Sequence, residues 1–423
     1  MHHAPQLAVT FRLSRPRRMG PAAAPASAPS GRRWPGLAQM RRLAVMMGLS
    51  AGVGLGATAQ AAGGLNDTGV VSCWVGGQIV RDCAGTGQDA AHGRDVTQPR
   101  GGDGWRGFRY AKVCHSGERA GQGDCPADPL LGAGSADWGC TLDEVSGLLW
   151  ELKTDDGGPR DQYRTYTHTG TGRAGDASAL VRQVNAVGLC GHQDWRLPQR
   201  IELLGLVHYG VKPHAPLIDP DWFPNTLPDR WFREYWSGTR YAGRKSAAWV
   251  VSFDDGSVHT DRGAQHPVRL VRGELPVGGP QRFEPKDDVV RDHATGLVWR
   301  RCAEGQSWIG ERCRGLATLQ TWAQALQTAQ DAAAGGLPWR LPNVKELATL
   351  VDDQRFDPAM DPLAFPDVPT GGASAFWSAT HAAGQDDVYF VAFWGGRTQK
   401  MWPEAKRSVR LVRDGGRSAP RVP

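Results

Sequence analysis

The amino-acid sequence predicts an α+β fold present twice in tandem, with two helices packed on a small antiparallel sheet in each copy. Three observations carry that expectation. The same landmarks recur in the same order at a spacing of 141–144 residues. Each copy runs strand, helix, helix, long loop, hairpin and closing strand, and no parallel βαβ alternation appears. The first copy reads Ser146-Gly-Leu-Leu-Trp150, Trp195-Arg-Leu-Pro198, Trp236-Ser237 and Val268-Arg-Leu-Val-Arg272; Trp339-Arg-Leu-Pro342, Trp377-Ser378 and Val409-Arg-Leu-Val-Arg413 repeat it. Such a period exceeds the roughly 20–50 residue units of solenoids and propellers, so each copy is expected to be a domain with its own core. The copies are placed at residues 140–274 and 289–415, with a Pro- and Gly-rich linker at 275–288 between them.

The elements follow in order. Gly147–Glu151 reads as a strand. Asp176 can cap a helix whose Leu180, Val184 and Val187 recur at helical spacing, and Gly188 stops it. A second helix is expected over Gln199–His208, then a Pro-rich loop over Pro213–Asp229. Trp249, Val251 and Phe253 alternate as a strand should, and Asp254-Asp255-Gly256 turns the chain back. In the second copy the first helix is expected over about Leu319–Ala334, with Thr318 as its cap and Gly335-Gly336 as its stop. The next helix begins at Asn343, which places Glu346 at the third position of a capping box. Tyr389–Phe393 and Thr398–Trp402 form a hairpin across Gly395-Gly396.

The net charge of +6 invites a polyanion-binding reading, but its distribution removes it. Residues 1–61 hold eight arginines and neither lysine nor acid, which leaves 41 of the 49 basic side chains against all 43 acidic ones. No nucleic-acid partner is therefore expected. Residues 1–39 are low-complexity sequence upstream of a more natural start at Met40. Residues 40–61 have the basic, apolar and small-residue parts of a cleaved signal peptide, and no other stretch is apolar enough to span a bilayer.

Export agrees with the cysteines. The eight, in a Gly-rich segment at 62–139 and in both copies, fall into close pairs: Cys73 with Cys83, Cys114 with Cys125, Cys140 with Cys190, Cys302 with Cys313. Zinc is the rival explanation, but no C-x-x-C occurs and intervals of ten or eleven residues suit loop staples. Disulfides place the chain in periplasm, envelope or cell exterior. The 62–139 segment is too poor in apolar residues for a large core and is expected to pack on the first copy.

In Trp-Arg-Leu-Pro, Trp195 and Trp339 can bury, Pro198 and Pro342 pre-set a helix start, and Arg196 and Arg340 can bridge to Glu202 and Glu346. Because the pairs repeat with the scaffold, an internal clamp is favoured over ligand binding. For Arg269 and Arg410 sheet-surface ion pairs are favoured over an acidic ligand. Asp219, Asp221, Asp254, Asp255, Asp357 and Asp361 could meet calcium, but they sit in turn-forming contexts without a calcium-loop spacing. Neither a cofactor nor a metal is assigned.

Seventeen tryptophans are many for 423 residues, and most are assigned to cores. Indoles also stack on sugars, which draws attention to Trp231, Trp394 and Trp402 beside Arg397, Lys400, Lys406 and Arg407. Arg240, Tyr241, Arg244 and Lys245 form the densest basic loop of the first copy. The candidate ligand surface is Arg240, Tyr241, Arg244 and Lys245 with Trp394, Arg397, Lys400 and Trp402. There is no G-x-S-x-G, H-E-x-x-H or P-loop, and His192, His208, His214, His259, His266, His293 and His381 stand isolated in sequence, so no catalytic residue is assigned.

Leu65-Asn-Asp-Thr-Gly69, Gln88-Asp-Ala-Ala-His-Gly-Arg-Asp95, Asp137-Trp-Gly-Cys140, Ser146–Asp156, Leu189–Pro198, Trp222–Thr226 and both Val-Arg-Leu-Val-Arg strands resemble the C-terminal domain of the Legionella collagen-like adhesin. The likeness covers most of the chain after the signal and implies an exported bacterial protein whose repeats serve surface attachment or glycan binding. The chain departs from that relative in lacking a Gly-X-Y stalk. Arg-Leu-Pro-x-x-x-Glu is also similar to the sulfatase-modifying, formylglycine-generating family, which implies a C-type-lectin-like fold for each copy. That chemistry needs a late cysteine pair, and no cysteine follows Cys313.

The expectation is thus a non-catalytic binding protein whose partner is carbohydrate or an extracellular surface. A structural or envelope-assembly protein is the alternative. A hydrolase with a site in the Lys153–Gly175 or Pro213–Asp229 loops is the third reading.

Overall fold

Two copies of one hydrogen-bonding plan meet edge to edge in the computed structural model, which describes residues 64–97, 100–101, 104–105, 107–212, 215–227, 233–274 and 281–415. The leader, Trp231, His214 and residues 275–280 of the linker lie outside the described residues. An N-terminal hairpin, β1 (Cys73–Val75) and β2 (Gln78–Val80), comes first. The first copy contains β3 (Tyr110–Cys114), β4 (Trp138–Asp143), β5 (Leu149–Glu151), α1 (Ala177–Val187), α2 (Arg200–Gly205), β6 (Glu234–Arg240), β7 (Ala248–Ser252), β8 (Val258–Asp261) and β9 (Val271–Arg272). The second contains β10 (Phe283–Lys286), β11 (Val289–Asp292), β12 (Leu297–Arg300), α3 (Trp322–Ala334), α4 (Val344–Ala348), β13 (Ala375–His381), β14 (Val388–Ala392), β15 (Arg397–Met401) and β16 (Val412–Asp414).

The architecture is mixed α+β with antiparallel sheets and few helices. In each copy four strands form one sheet, ordered β9-β5-β4-β3 in the first and β16-β12-β11-β10 in the second. Three further strands of each copy join in a single six-stranded sheet, β13-β14-β15-β8-β7-β6, and the second copy also carries a separate hairpin of Ser307–Ile309 and Arg312–Arg314. Its seam is the antiparallel pair β8 and β15, where Val258 lies opposite Thr398. Aligning Val251-Ser-Phe253 with Val391-Ala-Phe393 makes Val258 and Thr398 equivalent residues, so the tandem is an internal pseudo-two-fold dimer.

This corrects the expectation of two self-contained cores. Each copy keeps an apolar cluster of its own, around Trp195, Trp236 and Leu270 in the first and around Trp339, Trp377 and Leu411 in the second. A third cluster is common to both, running from Leu203, Trp249 and Val258 to Leu347, Phe376 and Val391. Joining two edge strands satisfies backbone groups that would otherwise stay open to other chains.

The 62–139 segment packs on the first copy as expected, with Gly64 N donating to Val145 O at 3.1 Å and Tyr209 N to Thr68 O at 2.8 Å, and it does two further things. Its later part supplies β3 and the start of β4, which are integral to the sheet of the first copy. Its earlier part packs on the second copy: Gln330 Nε2 donates to Gly85 O at 2.8 Å, and Thr380 Oγ1 donates to Asp89 Oδ2 at 2.7 Å. Disulfides join Cys73–Cys83, Cys114–Cys125, Cys140–Cys190 and Cys302–Cys313, the same four pairs. Among the described residues no helix is long and apolar enough to cross a membrane.

Local rules place the helices. Asp176 accepts from Ser178 N at the start of α1, and Gly188 ends it in the left-handed conformation at φ 67°. The long helix of the second copy starts at Trp322 and its cap is Thr321, not Thr318, because Thr321 forms a reciprocal capping box with Gln324. Helix α2 is only six residues long and its cap is Gln199. Both closing strands are shorter than expected, Val271–Arg272 and Val412–Asp414.

Candidate functional site

The repeated Trp-Arg-Leu-Pro motif builds a clamp in both copies. Arg196 holds Glu202 through two bonds, Nη1 to Oε2 and Nη2 to Oε1, both at 2.7 Å. Arg340 holds Glu346 in the same way at 2.7 and 2.8 Å. Each glutamate also accepts from the backbone of its own helix cap, Gln199 N at 2.7 Å and Asn343 N at 2.8 Å. One carboxylate thereby fixes the incoming chain and the first helical turn. Trp195 and Trp339 are buried beside it, and the prolines stand between clamp and cap, their carbonyls accepting from Gly238 N and Ala379 N. These contacts brace the helix starts, and Arg340 and Glu346 also line a cavity of about 640 Å³.

Arg269 and Arg410 correct the surface-pair expectation. Both are fully buried, since the two closing segments are covered on both faces. Arg269 Nη1 donates to Glu151 O at 2.9 Å and its guanidinium lies over Phe223 and Tyr235. Arg410 donates to Arg300 O at 2.7 Å and lies over Phe365 and Phe376. Burial pulls Arg410 down to about 9, so it keeps its charge at neutral pH.

A cleft of about 990 Å³ opens where the copies meet. Gln199, Thr239, Arg240, Tyr241 and Lys245 line it from the first copy, and Leu350–Gln354 and Asp361 from the second, with Arg282 and Phe283 between them. Its floor is tied across the copies: Arg200 Nε donates to Asp353 Oδ1 at 2.9 Å and its guanidinium faces the Trp249 ring. Tyr241 is held edge-on to Trp249 and Phe356, with ring centroids 5.3 and 5.9 Å away. The wall is thus an aromatic ring flanked by cations on one side and carboxylates on the other.

The candidate ligand residues are only partly brought together. Arg240, Tyr241 and Lys245 share the cleft, while Arg244 is exposed on the same turn. Arg397 stacks on Trp394 and its Nη2 reaches Thr260 Oγ1 at 3.4 Å, so this pair braces the sheet seam. Lys400 is committed to Gln385, and Trp402 stands 58% exposed away from the cleft lining. Six tryptophans, Trp150, Trp195, Trp236, Trp249, Trp299 and Trp377, are fully buried in core.

Of the six aspartates considered for calcium, Asp219, Asp255 and Asp361 brace turns, Asp357 ties to a distant loop and Asp254 is ion-paired. Asp219 Oδ1 accepts from Asp221 N, Asp255 Oδ1 from Ser257 N, Asp361 Oδ1 from Leu363 N, and Asp357 Oδ1 from Gly371 N. Asp254 pairs with Arg233 at 2.8 Å. Among the described residues the carboxylates that do converge are Asp67, Asp89 and Asp95, all buried. Sequence reasoning missed them because they lie 22 and 6 residues apart in a loop-rich stretch; their presence in two of the motifs quoted above was the available signal.

The fold and these sites define a disulfide-stapled tandem-repeat protein with a cleft between its copies. The Lcl C-terminal domain matches over residues 139–272 and 288–413, and the chain belongs to that family, with two copies in tandem. No curated protein matches it significantly.

Proposed function

We propose that the chain is an exported, non-catalytic binding protein whose tandem lectin-like copies recognise carbohydrate on an extracellular surface. The cleft between the copies carries this reading. Carbohydrate recognition calls for an aromatic face for the apolar side of a sugar ring and for planar acceptors and donors for its hydroxyls. Tyr241 supplies the first; Gln199, Asp352, Asp353 and Lys245 supply the second. Membership of an adhesin-associated domain family supports attachment, and four disulfides suit an oxidising compartment.

The chemistry of the polar side chains supports binding over hydrolysis. Ser237 Oγ donates to Trp249 O at 3.0 Å, a scaffold bond that Ser378 repeats with Tyr389 O at 2.7 Å. His266 lies between carboxylates, with Nε2 3.2 Å from Asp261 and Nδ1 3.6 Å from Glu234. Lys153 is buried against Glu151 at 3.0 Å, and burial holds its ammonium below the usual lysine range.

The mixed charge of the cleft favours neutral over sulfated sugars. A glycan array probed with the mature chain at low and high salt tests this. Salt-insensitive binding to neutral glycans is expected; a blank array, or binding only to sulfated glycans at low salt, contradicts it.

A further inference from the structure

The carboxylates of Asp67, Asp89 and Asp95 offer one oxygen each within 4.8 Å of one another. Two oxygens bound to one calcium ion at about 2.3–2.6 Å can be no more than about 5 Å apart, so this spacing fits a shared hard cation. The cluster is built from three places. Asp67 lies in the irregular segment Asn66-Asp67-Thr68, Asp89 opens the short 3-10 helix Asp89–Ala91, Asp95 lies in the one-turn helix Arg94–Thr97, and the Asn343 cap of α4 closes one side, its Nδ2 donating to Asp67 Oδ1 at 3.2 Å.

Counting donors leaves a deficit. Asp67 is well supplied by Thr68 N at 2.9 Å and Arg94 N at 2.6 Å. Asp89 Oδ2 receives Thr380 Oγ1 at 2.7 Å and lies 2.8 Å from Thr68 Oγ1. The same Thr68 hydroxyl is the contact of Asp95 Oδ2, at 3.2 Å, and one hydroxyl has one proton to give. Asp95 Oδ1 is fully buried and has no hydrogen-bond partner at all. The nearest ammonium, Lys345, spends its hydrogen bonds on Asp67 O at 2.7 Å and Gly205 O at 2.8 Å, with Phe108 beneath it. A buried carboxylate oxygen without a donor of its own is costly unless a proton or a cation meets it.

The site has room and access. Gly93 has φ 94°, and a Cβ built there would fall 2.3 Å from Asp67 Oδ2 and 3.0 Å from Asp95 Oδ1, so glycine keeps the space between those oxygens open. Asp67, Asp89, His92, Gly93 and Asn343 line a cavity of about 640 Å³ that leads to it.

We propose that Asp67, Asp89 and Asp95 bind one calcium ion, which ties together the two parts of the N-terminal segment that pack beside the Asn343 cap. The donor set is all oxygen, which selects a hard cation over zinc, and flexible loops that leave remaining positions to water suit calcium better than the strict octahedron of magnesium. The residues lie outside the two matched family segments, so the site belongs to the added N-terminal part of this chain.

The test uses the mature chain stripped with EDTA and titrated with CaCl2, and separately MgCl2, at pH 7.5, by calorimetry and thermal melting. One calcium per chain and a rise in Tm of several degrees are expected. Asp95→Asn should lose at least tenfold in calcium affinity, while its metal-free melting temperature stays close to that of the metal-free parent, because the amide has the shape of the buried carboxyl group it replaces. That second readout separates loss of the site from loss of the fold. Absence of heat and of any Tm change at millimolar calcium, tighter binding of magnesium than calcium, or an undiminished response in Asp95→Asn would each overturn the proposal.

Discussion

Val258 and Thr398 are equivalent residues of the two copies, and they face each other across the seam of the six-stranded sheet. A residue that meets its own counterpart lies on a two-fold axis. Helices α2 and α4 cross the same boundary reciprocally: Arg200 of one reaches Asp353, and Lys345 of the other reaches Gly205 O. Both seam residues are fully buried, so a charge placed there has no solvent to meet. Val258→Lys is expected to destabilise the chain by about 3–5 kcal/mol and to split a single denaturation transition into two, which calorimetry would show.

The arginine clamps anchor helix starts. Replacing Glu346 by Ala removes two bonds to Arg340 and the acceptor for Asn343 N, leaving a largely buried guanidinium with only the exposed carboxylate of Asp414, at 3.2 Å, as its charged partner. A loss of about 3–5 kcal/mol is expected in urea denaturation. Glu202→Ala should behave alike, since Arg196 and Gln199 repeat the geometry.

His381 gives stability a pH dependence with a definite sign. It is buried, neither ring nitrogen has a hydrogen-bond partner among the described residues, and burial lowers it to about 4. A depressed histidine favours the neutral form in the folded chain, so its contribution is complete above about pH 6.5 and is lost as pH falls toward 4. Folding stability measured between pH 7 and 4 should fall less steeply in His381→Leu than in the parent, by up to about 3 kcal/mol. Parallel curves would contradict this.

Cys140–Cys190 closes a span of 50 residues and Cys302–Cys313 a span of 11. Loop-closure entropy gives about 4 and about 3 kcal/mol respectively. Replacing the first pair by alanines should lower Tm more than replacing the second.

Much of the plan was readable because it is local. The caps Asp176, Gly188 and Asn343 and the hairpin turn at Gly395-Gly396 each depend on a few neighbouring residues. The shared sheet was not readable, because strands β8 and β15 are joined by an edge pairing between residues 140 positions apart that no local pattern specifies. Arg269 and Arg410 were misplaced for a related reason. Alternation of apolar and basic residues marks one buried face, whereas these segments are covered on both. Within the candidate cleft, Arg240, Tyr241 and Lys245 were visible as a basic loop, but Asp352 and Asp353 arrive from the other copy only through folding.

The central claim is that the ligand site is made by both copies, and titration calorimetry of an array-selected glycan tests it most directly. Against the parent chain, Tyr241→Ala in the first copy and Asp352→Asn in the second should each weaken binding at least tenfold while leaving Tm within a few degrees. Undiminished affinity in both variants would contradict the account.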